Sequence, residues 1–136
     1  MTRALLACLL WANLALADER IAAPPADSPE APIFAALKAA LRDDFAAYLD
    51  TVHPEHRATE NERAARQKYE WARFRKQHTW YIEGTEDPAF VVVLRKPDGP
   101  NIVRVFLRDL VHKERMPVPV KLKRSGGGWK IVVSSL

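Results

Sequence analysis

Residues 118–133 read Val118-Pro119-Val120-Lys121-Leu122-Lys123-Arg124-Ser125-Gly126-Gly127-Gly128-Trp129-Lys130-Ile131-Val132-Val133. Val118, Val120 and Leu122 alternate with Lys121 and Lys123, the two-residue period of a strand buried on one face and wet on the other. After the glycines, Trp129, Ile131 and Val133 alternate with Lys130, Val132 and Ser134 in the same way. The pattern predicts two strands joined by a tight glycine connection. That connection does not precede a helix, so it is not a phosphate-binding loop. Pro117 and Pro119 lack the N–H that a central ladder uses, which predicts that this hairpin starts at a sheet edge.

Working upstream, more strands appear. Ile102 to Val111 places Val103, Val105 and Leu107 on one face and Arg104, Phe106 and Arg108 on the other. Ala89 to Arg95 is apolar on both faces, and Thr79 to Glu83 alternates around Trp80, Tyr81 and Ile82. Asp98-Gly99-Pro100 and His112-Lys113-Glu114-Arg115 mark turns.

Two helices precede the strands. Phe34, Leu37, Leu41, Phe45, Tyr48 and Val52 recur at steps of three and four, predicting one helix from about Pro32 to Val52. His53-Pro54 ends it, because a residue before proline avoids helical angles. Thr59 and Glu62 have capping-box spacing, predicting a second helix over about 60–77. Ala65, Tyr69 and Ala72 lie on one side of it, with Trp71 and Phe74 nearby. Helices first and antiparallel strands after them make an α+β chain.

Residues 1–17 have the form of a secretory signal peptide: Arg3, then an apolar run from Ala4 to Ala17, ending in Ala15-Leu16-Ala17 before the charged Asp18-Glu19-Arg20. The run has 14 residues, short of the roughly 20 that cross a bilayer. Cleavage near Ala17-Asp18 is expected, delivering a periplasmic or secreted protein with no transmembrane segment. Cys8, the single cysteine, leaves with the signal. Leu5-Leu6-Ala7-Cys8 looks like a lipobox but comes too early to have an apolar stretch before it. Residues 18–31, rich in Ala, Pro, Asp and Glu, are expected to be a flexible tether before a single domain over 32–136.

The net charge of the chain is +4, unevenly spread. Residues 18–55 carry three basic and eight acidic side chains, residues 56–78 seven and three, and residues 104–124 seven and two. The plainer expectation is that the acidic first helix lies near the basic segments and their fields partly cancel. The other is a basic surface for an anionic envelope component, such as phospholipid headgroups or a cell-wall polymer. Export makes nucleic acid a poor partner.

The order of elements, the ending Val118 to Arg124, the glycine turn and Gly128-Trp129-Lys130-Ile131 resemble the nuclear transport factor 2-like, or cystatin-like, superfamily. Tyr48-Leu49-Asp50 and His53-Pro54 resemble the end of its first helix. The resemblance covers about residues 32–136. It implies helices packed in a strongly curved antiparallel sheet, a cone-like roll whose open end can hold a small molecule. Superfamily members include isomerases, dehydratases and cyclases, together with ligand-binding and assembly proteins.

Site candidates follow. His53, Glu55 and His56 have residue types that bind zinc or copper, but they sit in a proline-containing loop, and the expectation is solvated residues and no metal. His78 is a candidate proton-transfer residue if it meets Asp109. Tyr48, Tyr69, Trp71, Trp80 and Phe106, with Phe74 and Tyr81, are candidates for lining a ligand cone; a dry aromatic core is the alternative. Arg104 and Arg108 share a face with Phe106 and point to an anion or to solvent. Trp129 is expected to anchor the hairpin. No nucleophile elbow, phosphate loop or cofactor motif is present. The expected role is a non-catalytic exported protein binding a small ligand or an envelope partner. The alternatives are a small isomerase- or dehydratase-like enzyme and a sheet-mediated homodimer.

Overall fold

A computed structural model describes residues 18–136; the expected signal peptide and Cys8 lie outside the described residues. The chain is α+β. Five antiparallel strands form one open sheet in the order β1 (Glu19–Ile21), β2 (Phe90–Pro97), β3 (Ile102–Leu107), β4 (Val118–Ser125) and β5 (Gly128–Ser134). The sheet is loosely curled and does not close into a barrel. Helix α1 (Glu30–Leu41), helix α2 (Phe45–Asp50) and a long rod cover one face. The rod comprises α3 (Glu60–Arg66), a π-helical turn (Gln67–Trp71) and α4 (Ala72–Gln77). Among the described residues, no helix is long and apolar enough to cross a membrane.

Alternation puts the core where the sequence predicts it. Val103, Val105 and Leu107 of β3 and Val118, Val120 and Leu122 of β4 are buried against Ile33, Ala36, Leu37 and Ala40 of α1. Two bulges modify the pattern. Val93 is the extra residue where β2 shifts register against β3, and Val132 is the extra residue where β5 shifts against β4. A bulge bends its strand and resets which side chains face inward. Val133 therefore faces water, and Ser134 is buried.

Several boundaries differ from expectation. The first helix is broken: Asp43 adopts a left-handed φ of 52°, and Asp44 restarts the helix by accepting the Ala47 N–H at 3.0 Å. An aspartate side chain offers the backbone this local alternative, so no Gly or Pro is needed for the break. The segment read as a tether contributes strand β1, whose Ile21 is buried, and α1 begins at Glu30. Residues 79–83 form no strand. His78–Trp80 is a 3-10 turn, and only Glu83 bridges, to Ala89. The rod ends at Gln77, as expected, and the His78 ring holds the Phe74 and Arg75 carbonyls of its last turn.

Strand β4 lies between β3 and β5 rather than at an edge. Pro119 is accommodated because its carbonyl accepts from Ser135 at 3.2 Å, beyond the end of β5. In an antiparallel strand the amide nitrogen of a residue faces the same side as its carbonyl, so no bond to β3 is lost. At the other end of the hairpin, Gly126 takes φ 59°, the left-handed angle a two-residue turn requires at its first position.

The capping box forms, with Glu62 N–H donating to Thr59 Oγ1 at 3.1 Å and Thr59 N–H to Glu62 Oε1 at 3.2 Å. On the rod, Trp71 and Phe74 face the core and Tyr69 faces water, the reverse of the side led by Ala65 and Tyr69. An indole and a phenyl ring remove more apolar surface from water than two alanine methyls, so they decide the rotation. The rod also holds the outer edge of β5. Arg66 donates to the Val132 carbonyl at 2.6 Å, and Arg73 donates to the carbonyls of Ser134 and Leu136.

Candidate functional site

The outer face of the sheet carries what the inner face excludes. Register places Lys96 opposite Arg104, Arg104 opposite Lys121, and Lys121 opposite Val133. Three cations thus stand side by side on β2, β3 and β4. Cross-strand neighbours have Cβ atoms about 5 Å apart, and like charges so placed destabilise the sheet. Only Arg104 has a carboxylate in reach, Asp98 at 3.1 Å. Among the described residues, Lys96 and Lys121 form no ion pair. The expectation that acidic segments cancel the basic ones is met elsewhere: Arg108 pairs with Asp18 at 3.0 Å, Lys123 with Glu55 at 2.9 Å and Arg75 with Asp43 at 2.7 Å.

Beside the cations runs an apolar row, Leu94 opposite Phe106 and Phe106 opposite Pro119. Arg104, Pro119, Lys121, Val133 and Ser135 line a shallow groove of about 240 Å³ between the two rows. The arrangement suits an anionic group resting on the cations with an apolar portion alongside. Two other grooves lie against α1, one beside Trp129 and one beside the loop around Glu86.

Of the three loop residues expected to be solvated, Glu55 is exposed and His56 half-buried, but His53 is not solvated. His53 is buried; Glu55 N–H donates to its Nδ1 at 3.2 Å, so Nε2 carries the proton and donates to the Arg124 carbonyl at 3.1 Å. Both ring nitrogens are thus engaged, and they pin the helix connection to β4. The ion pair with Lys123 holds the Glu55 carboxyl below the usual carboxylate range. Among the described residues, no three His, Cys, Asp or Glu side chains are grouped to hold a metal ion.

Asp109 is buried, and its partner is His112, not His78. It accepts the Val111 N–H at 2.9 Å, the His112 N–H at 2.8 Å and His112 Nδ1–H at 2.9 Å. Burial pushes its carboxyl up, but these donors outweigh burial and hold it below the usual carboxylate range. Arg115 joins from 3.4 Å and also donates to the Tyr81 hydroxyl at 3.0 Å. Trp80 meets the His112 ring edge-on at 4.7 Å between centroids. The cluster fixes the shape of the β3–β4 loop. The His112 side chain is 44% exposed, and none of the three grooves is lined by it.

The aromatic candidates divide. Tyr48, Trp71 and Phe74 are buried and packed on one another, with the Tyr48 and Trp71 rings 4.9 Å apart. Tyr48 donates to Glu70 at 2.6 Å, and burial raises its hydroxyl pKa. Tyr81 is also buried. Trp80 is half-buried beside His112. Phe106 stands half-buried on the outer face, and Tyr69 is 65% exposed under Lys68. Trp129 packs against the core and stacks under Arg124 at 4.5 Å. The residues that sequence reasoning missed are Lys96 and Lys121 as members of one row. Lys121 is read as an outward position, Lys96 falls just beyond the strand read over Ala89 to Arg95, and only the register of three strands aligns them.

Compared with protein-family models, curated proteins and solved structures, the chain gives no match.

Proposed function

We propose that this is an exported, non-catalytic protein of the nuclear transport factor 2-like type that binds an anionic envelope component through the outer face of its sheet. The row Lys96–Arg104–Lys121 carries the reading: among the described residues, only Arg104 of these three adjacent cations has a carboxylate partner, Asp98. An anion placed on them removes a repulsion that the isolated fold has to bear. The fold type is supported by helices preceding a meander, and by bulges at Val93 and Val132 that bend the strands towards a roll. Export is supported by the form of residues 1–17. A role at the outer face, rather than in a cone, is supported by the mutual packing of Tyr48, Trp71 and Phe74. The same cations disfavour pairing two copies face to face.

Retention on immobilised dextran sulfate tests this. The protein is expected to elute at a salt concentration that drops sharply for Arg104→Glu/Lys121→Glu. A double variant of equal charge change on the rod, Lys68→Glu/Lys76→Glu, is expected to elute close to the parent. Equal losses for both variants would mean that net charge, not this face, makes the contact, and the reading would fail.

A further inference from the structure

The large apolar residues exposed on this molecule are unevenly placed. Leu94 (38% exposed) and Val133 (52%) stand on the outer sheet face, and Val111 (60%) and Met116 (82%) stand on the loop that joins β3 to β4 at one end of the same sheet. Of the five such residues among the described ones, only Tyr69 lies elsewhere. Scattered exposed apolar groups are ordinary, but grouped ones mark a contact surface, and Val111 and Met116 share one loop.

The loop is held rigid. Asp109 accepts the N–H groups of Val111 and His112, Arg115 reaches both Asp109 and Tyr81, and Leu110 N–H donates to the Trp80 carbonyl at 2.7 Å. Val111 and Met116 are therefore presented at a fixed site, without the ordering cost a floppy loop would bring to binding. Lys113 lies between them in the chain, and Lys96, Arg104 and Lys121 lie on the adjoining face. An apolar loop tip able to enter an acyl boundary, joined to strands that carry cations able to meet headgroups, combines the features of a peripheral membrane contact.

Resting on the proposed anion-binding role of this face, we propose that the partner is the surface of an anionic phospholipid bilayer. Lys96, Arg104 and Lys121 meet the headgroup phosphates, while Met116 and Val111 insert at the headgroup–acyl boundary. A soluble anionic polymer would use the cations and leave Met116 and Val111 idle. A second copy of the chain would set cations against cations.

Co-sedimentation with vesicles tests the proposal, comparing phosphatidylglycerol and phosphatidylcholine in equal parts with phosphatidylcholine alone. The protein is expected to bind the mixed vesicles and not the neutral ones. Each of Lys96→Ala and Lys121→Ala is expected to weaken binding about fivefold, the effect of roughly one basic residue near an anionic surface. Met116→Ser is expected to weaken vesicle binding about tenfold and to leave retention on dextran sulfate unchanged. All three side chains are at the surface, and circular dichroism checks that each variant folds. Binding to dextran sulfate with none to mixed vesicles overturns the lipid proposal and leaves the anion-binding role standing. Absence of binding to both overturns both. Vesicle binding unaffected by Met116→Ser overturns the insertion of this loop.

Discussion

On the inner face of the sheet, Val105, Leu107, Val120 and Leu122 are sealed beneath α1. On the outer face, the same two strands carry Arg104, Phe106, Pro119 and Lys121. The two faces share one backbone and one register, so the contrast lies in the side chains alone. Inside, burial and packing settle every position, and no buried side-chain polar atom among the described residues lacks a hydrogen-bond partner. Outside, cations are set against cations with one carboxylate between three of them. A surface selected for stability would not keep that row, so the difference separates what holds the fold from what the fold presents.

The sharpest way to break the contrast is from within. Leu107→Ala removes a fully buried side chain and is expected to cost about 3 kcal/mol, read as a lower urea midpoint at unchanged slope. A loss below about 1 kcal/mol would mean that the inner face is loosely packed and no different in kind from the outer one.

Asp109→Asn is expected to have the next largest effect, about 2 kcal/mol, because the donors of Val111, His112 and Arg115 lose a charged acceptor. The sign of its pH dependence follows from the lowered carboxyl. The folded chain binds the Asp109 proton less readily than the unfolded chain does. The carboxylate therefore stabilises the fold above its ordinary pKa of about 4, and the contribution disappears as pH falls through the lowered value. Urea titrations are expected to show the two proteins far apart at neutral pH and converging in acid. A constant gap down to the acid transition would assign the loss to packing instead.

The smallest effect is expected to have the opposite sign. Lys121→Ala relieves a like-charge neighbour and should stabilise the isolated protein by up to about 0.5 kcal/mol at low ionic strength. The gain should fade as salt screens the row. Destabilisation at low salt would show that Lys121 supports the sheet and would erase the distinction between the faces.

Much of this was legible in the chain. The inner and outer positions of β3 and β4 follow from strict alternation, and Thr59 with Glu62 announced the second helix. The misses have physical reasons. A bulge adds one residue with no signature of its own, so Val132 hid the outward turn of Val133. Strand β1 has only three residues, too few to show a period. The break at Asp43 uses a side-chain cap in place of Gly or Pro. Asp109 found a partner three residues away in the chain, whereas the His78 ring was taken by its own helix end. The cation row required the pairing of β2 with β3 and β3 with β4 at once, and no single segment encodes it.

The grip of the rod on β5 has a consequence for the life of the protein in a crowded compartment. Carbonyls along a bare outer strand form a template on which a second chain can add, and from which fibrils grow. Here Arg66 and Arg73 already occupy those of Val132, Ser134 and Leu136. The opposite border is the short β1, bearing Glu19 and Arg20 in ion pairs with Arg95 and Glu83. With both borders guarded, the cationic outer face of the sheet stands open to its surroundings while its margins are closed to polymerisation.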